Sequence, residues 1–251
     1  MCVTGQEPWQ DVAMVHSLRK AAVPGAFDTA APAYDRLVDA NPGYHEHLRL
    51  SASRLELPGN GAGLRLLDLG CGTGASTAAL LDAAPDAEIV GVDASAEMLA
   101  QARTKQWPNT VRFVHARAEE LADAGVTGPF DAVLAAYLVR NLPDPDGGLA
   151  AIRDLLRPGA PLAVHEYSVA DSARARVTWT AVCWTIIIPS GRLRTGSAAL
   201  YRYLWRSVQR FDGAVAFQDR MRRAGFEEVR AETVPGWQAD IVHTFLGRRP
   251  V

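Results

Sequence analysis

The sequence predicts an α/β fold: a Rossmann-like, doubly wound, mostly parallel seven-stranded sheet with an antiparallel closing hairpin, N-terminal helices and an inserted helical cap. Three observations predict it. Short apolar runs alternate with segments of helical period through the middle of the chain. The first such run passes directly into Gly70-Cys71-Gly72-Thr73-Gly74, a strand–turn–helix signature. The last two apolar runs, near the C-terminus, have no helical segment between them.

Taken in order, residues 1–25 are polar and read as a loose N-terminus, and residues 26–60 carry apolar side chains at helical spacing. Asn41-Pro42-Gly43 divides that stretch into two helices. The core spans 64–167: strands at 64–69, 88–92, 111–115, 130–135 and 162–167, with helices at 76–83, 96–105 and 149–156. Arg157-Pro158-Gly159 stops the last of these helices. Residues 171–210 form a helical cap bearing Trp179, Trp184, Tyr201, Tyr203 and Trp205. A helix at 217–224 ended by Gly225, then strands at 228–234 and 241–246, complete one domain of 251 residues.

Composition narrows the function classes. At 48% hydrophobic and 22% charged the chain can bury a large core, yet its longest apolar stretch, 179–189, falls short of the ~18 to 20 residues a bilayer span needs. The start lacks the charged, apolar and small-residue regions of a signal peptide, so a cytoplasmic protein is expected. Cys2, Cys71 and Cys183 are too scattered for a disulfide framework or a structural metal, and no metal is expected. From Asp171 onward there are 13 Arg and no Lys against 7 Asp plus Glu. That bias suits an anionic substrate or peripheral membrane contact, or is simply a solvated face. Ribonucleoprotein signatures, zinc-finger spacings and long basic runs are missing, so nucleic acid is not an expected partner. Oligomeric state stays open.

A glycine turn between strand and helix lets backbone N–H groups approach a ligand. Gly70, Gly72 and Ala75 also satisfy the dinucleotide pattern, with Asp93 near the distance of a ribose-binding acid, so a nicotinamide oxidoreductase or a non-catalytic nucleoside-binding module stays open. Three features favour S-adenosylmethionine instead: Asp68 ahead of the first glycine can meet an ammonium group, Thr73-Gly74 tightens the turn, and Asp93 can accept both ribose hydroxyls.

From about residue 27 to 247 the chain resembles class I methyltransferases, and within them the ubiquinone/menaquinone biosynthesis C-methyltransferase family. The resemblance rests on Ala26-Phe27-Asp28 with Tyr34-Asp35, the glycine loop, Gly91-Val92-Asp93-Ala94-Ser95 with Met98-Leu99, and Arg140-Asn141-Leu142 with Asp144. Leu156-Arg157-Pro158-Gly159, Glu166-Tyr167-Ser168, Tyr201-Arg202-Tyr203-Leu204 with Ser207, and Ala224-Gly225-Phe226 extend it. The Arg-Asn and Tyr-Arg-Tyr-Leu segments discriminate most. The resemblance implies S-adenosyl-L-methionine as cofactor and a hydrophobic small-molecule acceptor, aromatic or quinol-like, methylated at carbon. A methyltransferase of specialised metabolism, acting at carbon or oxygen, is the rival reading.

Cofactor contacts are then expected at Asp68, Gly70, Gly72, Thr73, Gly74, Asp93, Ala94, Met98, Arg117, Ala118 and Ala136. Arg117 departs from the family's usual Asn or Asp, which moves the expected adenine contact toward backbone N–H at Ala118 or Glu119. Ala160 replaces a second glycine, and the family's Asn and Trp between the first helices are missing. Arg140 and Tyr34 are the catalytic candidates. Arg140 would stabilise phenolate charge or orient a water, being permanently protonated, and its alternative role is an ion pair with Asp144 or Asp146. Tyr34 would cover the cofactor or bind substrate. His45, His165 and His243 are expected to be structural, Glu166 to pair with an arginine, and the cap aromatics to divide between packing and an apolar cavity that receives a prenylated ring.

Overall fold

The computed structural model describes residues 23–39, 41–195 and 198–251. Helices α1 (Val23–Asp39) and α2 (Tyr44–Ser53) precede the sheet and are separated by Gly43 in the left-handed region, φ 86°. The first 22 residues of the expected loose N-terminus lie outside the described residues, while residues 23–25 already belong to α1.

Seven strands follow: β1 (Arg65–Leu69), β2 (Glu88–Asp93), β3 (Val111–His115), β4 (Ala132–Ala136), β5 (Pro161–Tyr167), β6 (Glu227–Thr233) and β7 (Val242–Arg248). Their order is β3-β2-β1-β4-β5-β7-β6, with β7 antiparallel to both neighbours and every other pairing parallel. The chain reverses direction across the sheet between β1 and β4, which opens a crevice at the strands' carboxyl ends.

Central strands read as unbroken apolar runs because both faces are covered. Leu67, Leu69, Val90, Val92, Val133 and Ala135 pack beneath α5 (Pro145–Leu155) and α9 (Ala214–Arg223), reaching Leu149, Ile152, Phe217 and Met221. The alternate residues Leu66, Ile89, Ala132 and Leu134 meet α2 and α3 (Ala75–Ala83) through Leu48, Ala52, Ala79 and Leu80. Helix α4 (Ala96–Arg103) bridges β2 and β3.

Helix α5 starts four residues before the apolar pattern that announces it. Asp144 caps it, accepting from the N–H groups of Asp146 and Gly147, and Pro145 occupies the first turn, where its missing N–H costs nothing. The strand expected at 130–135 begins at Ala132, since Phe130 makes only an isolated bridge to Leu156.

The cap consists of α6 (Ala173–Val182), a π turn (Cys183–Ile187), α7 (Ile188–Thr195) and α8 (Ala199–Arg210). It shares a third core with the end of the sheet: Trp179, Cys183, Ile188, Tyr201 and Val208 close on Tyr167, Val234 and Val242.

Candidate active site

The crevice at the switch point is bounded by the carboxyl ends of β1, β2 and β4 at Leu69, Val92, Asp93 and Ala136, and by α1. The glycine loop forms its floor. Gly70 and Cys71 both donate backbone N–H to the Val92 carbonyl, at 2.8 and 3.0 Å, and Gly72 donates to Asp93 Oδ2 at 2.8 Å. The loop is thereby clasped to the end of β2. Gly72 has φ 55°, and a Cβ there would meet nothing within 4 Å, so its bare backbone faces open space in the crevice wall. Gly74, at φ 93°, is glycine for a different reason: a Cβ would come within 2.7 Å of the Trp107 ring.

Nine of the eleven expected cofactor positions line the crevice: Gly70, Gly72, Thr73, Asp93, Ala94, Met98, Arg117, Ala118 and Ala136. Asp93 is anchored by Gly72 N–H on Oδ2 and by Ser95 N–H on Oδ1, 2.8 Å each, so both oxygens keep a lone pair for a ligand. Burial pushes its carboxyl up, opposed by the Ser95, Gly72 and Ala94 backbone donors. Ala116, Arg117, Ala118 and Glu119 form the wall beyond it.

Gly74 and Asp68 stand behind the wall. Asp68 is fully buried, and its Oδ2 accepts the hydroxyls of Ser76 and Thr77 at 2.8 and 2.6 Å. Its Oδ1 has no partner, and burial lifts the carboxyl to about 7. An orphaned buried carboxylate oxygen behind Ser76, which itself lines the crevice, fits a cationic group bound from that side.

Helix α1 lies over the crevice, presenting Val23, Phe27 and Tyr34 to it. Two aspartates hold it there. Asp28 accepts the Ser95 hydroxyl at 2.6 Å, and Asp35 accepts the Thr73 hydroxyl at 2.5 Å while pairing with Lys105 at 2.8 Å. Lys105 also donates to the Thr73 carbonyl at 2.8 Å. The Thr73 hydroxyl is therefore committed to α1. Asp28 and Asp35 both stand in segments that carry the family resemblance, but their role as latches is not readable there, because a half-exposed Asp–Lys pair 70 residues apart has no local signature.

Tyr34 sits edge-on to Phe27, with ring centroids 5.9 Å apart, and bonds Tyr44. Tyr44 and Tyr137 also line the crevice and are stacked at 5.7 Å. Tyr137 was not a sequence candidate. It has φ 55° at the end of β4, a strained conformation held by its N–H bond to the His165 carbonyl and by Asn141 Nδ2 on its own carbonyl, at 2.7 and 2.9 Å.

Arg140 is not at the crevice wall, although the adjacent Asn141 is. Its partner is neither Asp144, which caps α5, nor Asp146, which pairs with Arg220. The guanidinium instead forms a buried ion pair with Glu166 and reaches the Ser207 hydroxyl of the cap at 3.3 Å. Burial raises the Glu166 carboxyl against the pull of Arg140. Glu166 Oε1 also accepts the Tyr167 N–H at 2.9 Å. Arg140 thus ties sheet, crevice rim and cap together. The cap aromatics pack elsewhere: Trp179 lies against Tyr167, Trp184 against Trp205, and only Tyr203 reaches the rim, donating to Asn141 Oδ1 at 3.0 Å. The expected prenyl-binding cavity in the cap is not among the walls of this crevice.

A parallel sheet with a glycine floor, a ribose-type acid after β2 and an acid placed for a cationic ligand end defines a class I S-adenosylmethionine-dependent methyltransferase. The family model for the ubiE/COQ5 methyltransferase family matches residues 15–244, and the chain belongs to that family. A demethylmenaquinone methyltransferase of Thermus thermophilus is 33% identical over 224 residues, covering 89% of this chain and all of that protein. A ubiquinone/menaquinone biosynthesis C-methyltransferase of Bradyrhizobium diazoefficiens is 31% identical over 225 residues, 87% of this chain and 88% of its own.

Among solved structures, the [4+2]-cyclase SpnF superposes with a TM-score of 0.66 at 19% identity, covering 94% of this chain and 97% of its own. A Haemonchus contortus phosphoethanolamine N-methyltransferase in complex with S-adenosyl-L-methionine gives 0.61 at 16% identity, covering 98% of this chain and 61% of its own. At that distance the likeness is one of fold. Family membership makes the protein an S-adenosylmethionine-dependent methyltransferase and removes the nicotinamide reading.

Proposed function

We propose that the protein acts as a single methyltransferase domain in the cytoplasm and methylates a ring carbon of a hydrophobic phenol or quinol, demethylmenaquinol being the leading candidate. The observation that carries this is the aromatic wall of Tyr34, Tyr44 and Tyr137 lining the crevice, in a chain whose relatives are named for menaquinone methylation. A flat ring can lie against those faces.

S-adenosylmethionine, when bound, supplies an electrophilic methyl group on a cationic sulfur. The chain's work is to hold two reactants in line and keep water out. Asp93 would hold the ribose, Asp68 the ammonium end from behind Ser76, and the wall from Ala116 to Glu119 the adenine. Helix α1, latched by Asp28 and Asp35, closes the crevice from above. Burial raises the Tyr34, Tyr44 and Tyr137 phenols above their ordinary range, so they stay protonated and can donate.

Incubation with S-adenosylmethionine and demethylmenaquinol should yield a product one methyl group heavier, with the new carbon on the ring by NMR. A methyl group on oxygen, or no turnover beside efficient methylation of an unrelated small molecule, would move the assignment to specialised metabolism. Calorimetry with Asp93→Ala should show cofactor affinity falling by about tenfold or more, as expected when a hydrogen bond to a charged group is lost.

A further inference from the structure

We propose that the long helical run of the cap is an interfacial helix that docks the protein on an anionic lipid bilayer. Helix α6, the π turn and α7 follow one another without a break from Ala173 to Thr195. One face is buried through Ala175, Trp179, Cys183 and Ile188. The last step in that series is one residue longer than the others, and the π turn absorbs the extra residue, so the buried stripe stays in register. The same adjustment keeps the opposite face aligned.

That opposite face is apolar where solvent would favour polar side chains. Val177 is 69% exposed, Trp184 48%, Ile186 58% and Leu193 87%. Four of the seven large exposed hydrophobic residues recorded for the described chain thus fall on one helical run, which makes a patch rather than a scatter. Exposed arginines bracket it, Arg174 and Arg176 at one end and Arg192 and Arg194 at the other, and none of the four forms an ion pair among the described residues. Residues 172–210 contain no acidic side chain at all. An apolar stripe rimmed by unneutralised arginine, with Trp184 at its middle, matches the headgroup boundary of an anionic bilayer.

Charge decides between occupants. A second copy would bring the same basic rims face to face, which costs energy. Residues 1–22 carry Glu7 and Asp11 against Arg19 and Lys20, so they offer no net negative charge to the arginines. Helix α1, which lines the crevice mouth through Val23, Pro24 and Phe27, packs on α7 and α8, so the docking run adjoins the helix that covers the site. A lipid-dissolved acceptor could then pass from bilayer to crevice. This last step rests on the proposed substrate, whereas bilayer docking stands on the helix alone.

The test is flotation of the full-length protein with phosphatidylcholine vesicles, with and without phosphatidylglycerol. Binding should require the anionic lipid, weaken with added salt, and shift Trp fluorescence to the blue. Ile186→Glu/Leu193→Glu should lower partitioning by more than tenfold, and Arg192→Gln/Arg194→Gln by about thirtyfold, at about 1 kcal/mol for each basic residue near the surface. Both variants should keep wild-type circular dichroism and wild-type methyl transfer to a tail-free naphthoquinol. Failure of the wild type to bind, equal binding to neutral vesicles, or a solution dimer that Leu193→Glu splits would overturn the proposal. Vesicle binding without quinol methylation would instead remove only the proposed substrate.

Discussion

The His165 imidazole joins the crevice to the far side of α2: its Nε2 lies 3.0 Å from the Tyr137 hydroxyl and its Nδ1 2.7 Å from the Ser51 hydroxyl. Ser51 in turn contacts Thr244 Oγ1 at 2.6 Å, and Arg54 donates to Thr244 Oγ1 at 2.7 Å. Arginine has only donors, so Thr244 Oγ1 accepts from Arg54 and keeps its own hydrogen for Ser51, and one arrangement then satisfies every member. Thr244 donates to Ser51, Ser51 to Nδ1, and the Nε2 hydrogen to Tyr137, leaving the Tyr137 hydroxyl hydrogen free to point toward the tyrosines around it.

Such a network requires a neutral imidazole. Burial drives His165 down to about 3 from an ordinary value of 6.5, helped by His47, Arg54 and His243. A depressed folded-state value contributes stability above pH ~6.5 that is lost as the solution is acidified toward the folded value. Unfolding free energy should therefore fall between pH 6.5 and 3, by up to ~1.4 kcal/mol per pH unit from this group. His165→Gln should be less stable at pH 7.5 yet show a flatter acid limb in denaturant titrations. An unchanged acid limb would mean that His165 is not the group responsible.

Asp68 has the opposite sign. Its carboxyl is raised to about 7, so the folded state favours the protonated form, and the associated stability, present at low pH, disappears as pH rises through 7. Asp68→Asn should raise the melting temperature of the ligand-free protein at pH 8 and leave it nearly unchanged at pH 4. Asparagine can still accept from Ser76 and Thr77. Calorimetry should show the same variant binding S-adenosylmethionine more weakly, and wild-type affinity should improve from pH 6 to 8. If both proteins bind alike across that range, Asp68 has no part in holding the cofactor.

These two buried groups mark where sequence reading stops. The seven-stranded, mostly parallel sheet, its closing hairpin and the glycine loop were legible because each depends on local period or on a turn with its own chemistry, whereas Arg117, Ala118 and Ala136 came only from the family resemblance. Asp68 was legible as an acid before a glycine loop, but its position behind the wall depends on which face of β1 it occupies beneath α3. Arg140 was legible as a charge at the mouth of the sheet. Its partner Glu166 lies on the neighbouring strand, and no spacing rule links residues 26 apart in the chain. Tyr137 carried no signal, since strain at a non-glycine residue comes from tertiary contacts.

Breaking the Arg140–Glu166 pair should cost far more than removing it whole. The side chains are 4% and 0% exposed, so Arg140→Met leaves a buried carboxylate uncompensated, at a cost of about 3 to 5 kcal/mol. Arg140→Met/Glu166→Met leaves no orphan charge and should recover most of that loss. Denaturant unfolding of the three proteins checks this. If the double variant is as unstable as the single one, the lost contacts to Ser207 and the Tyr137 carbonyl matter more than the charge.

The latch on α1 predicts a separation of binding from stability. Asp35 and Lys105 are 39% and 36% exposed, so their ion pair should contribute no more than ~1 kcal/mol to folding. The Asp35–Thr73 bond, however, is what fastens α1 to the glycine floor. Asp35→Ala should leave global unfolding nearly unchanged but weaken S-adenosylmethionine binding by about tenfold, the scale of one charge-assisted hydrogen bond. Hydrogen exchange should quicken in α1 and stay slow in β1 and β4, because α1 opens without the sheet. Wild-type cofactor affinity in that variant, with α1 exchanging faster, would mean that closure of the helix is not coupled to the cofactor.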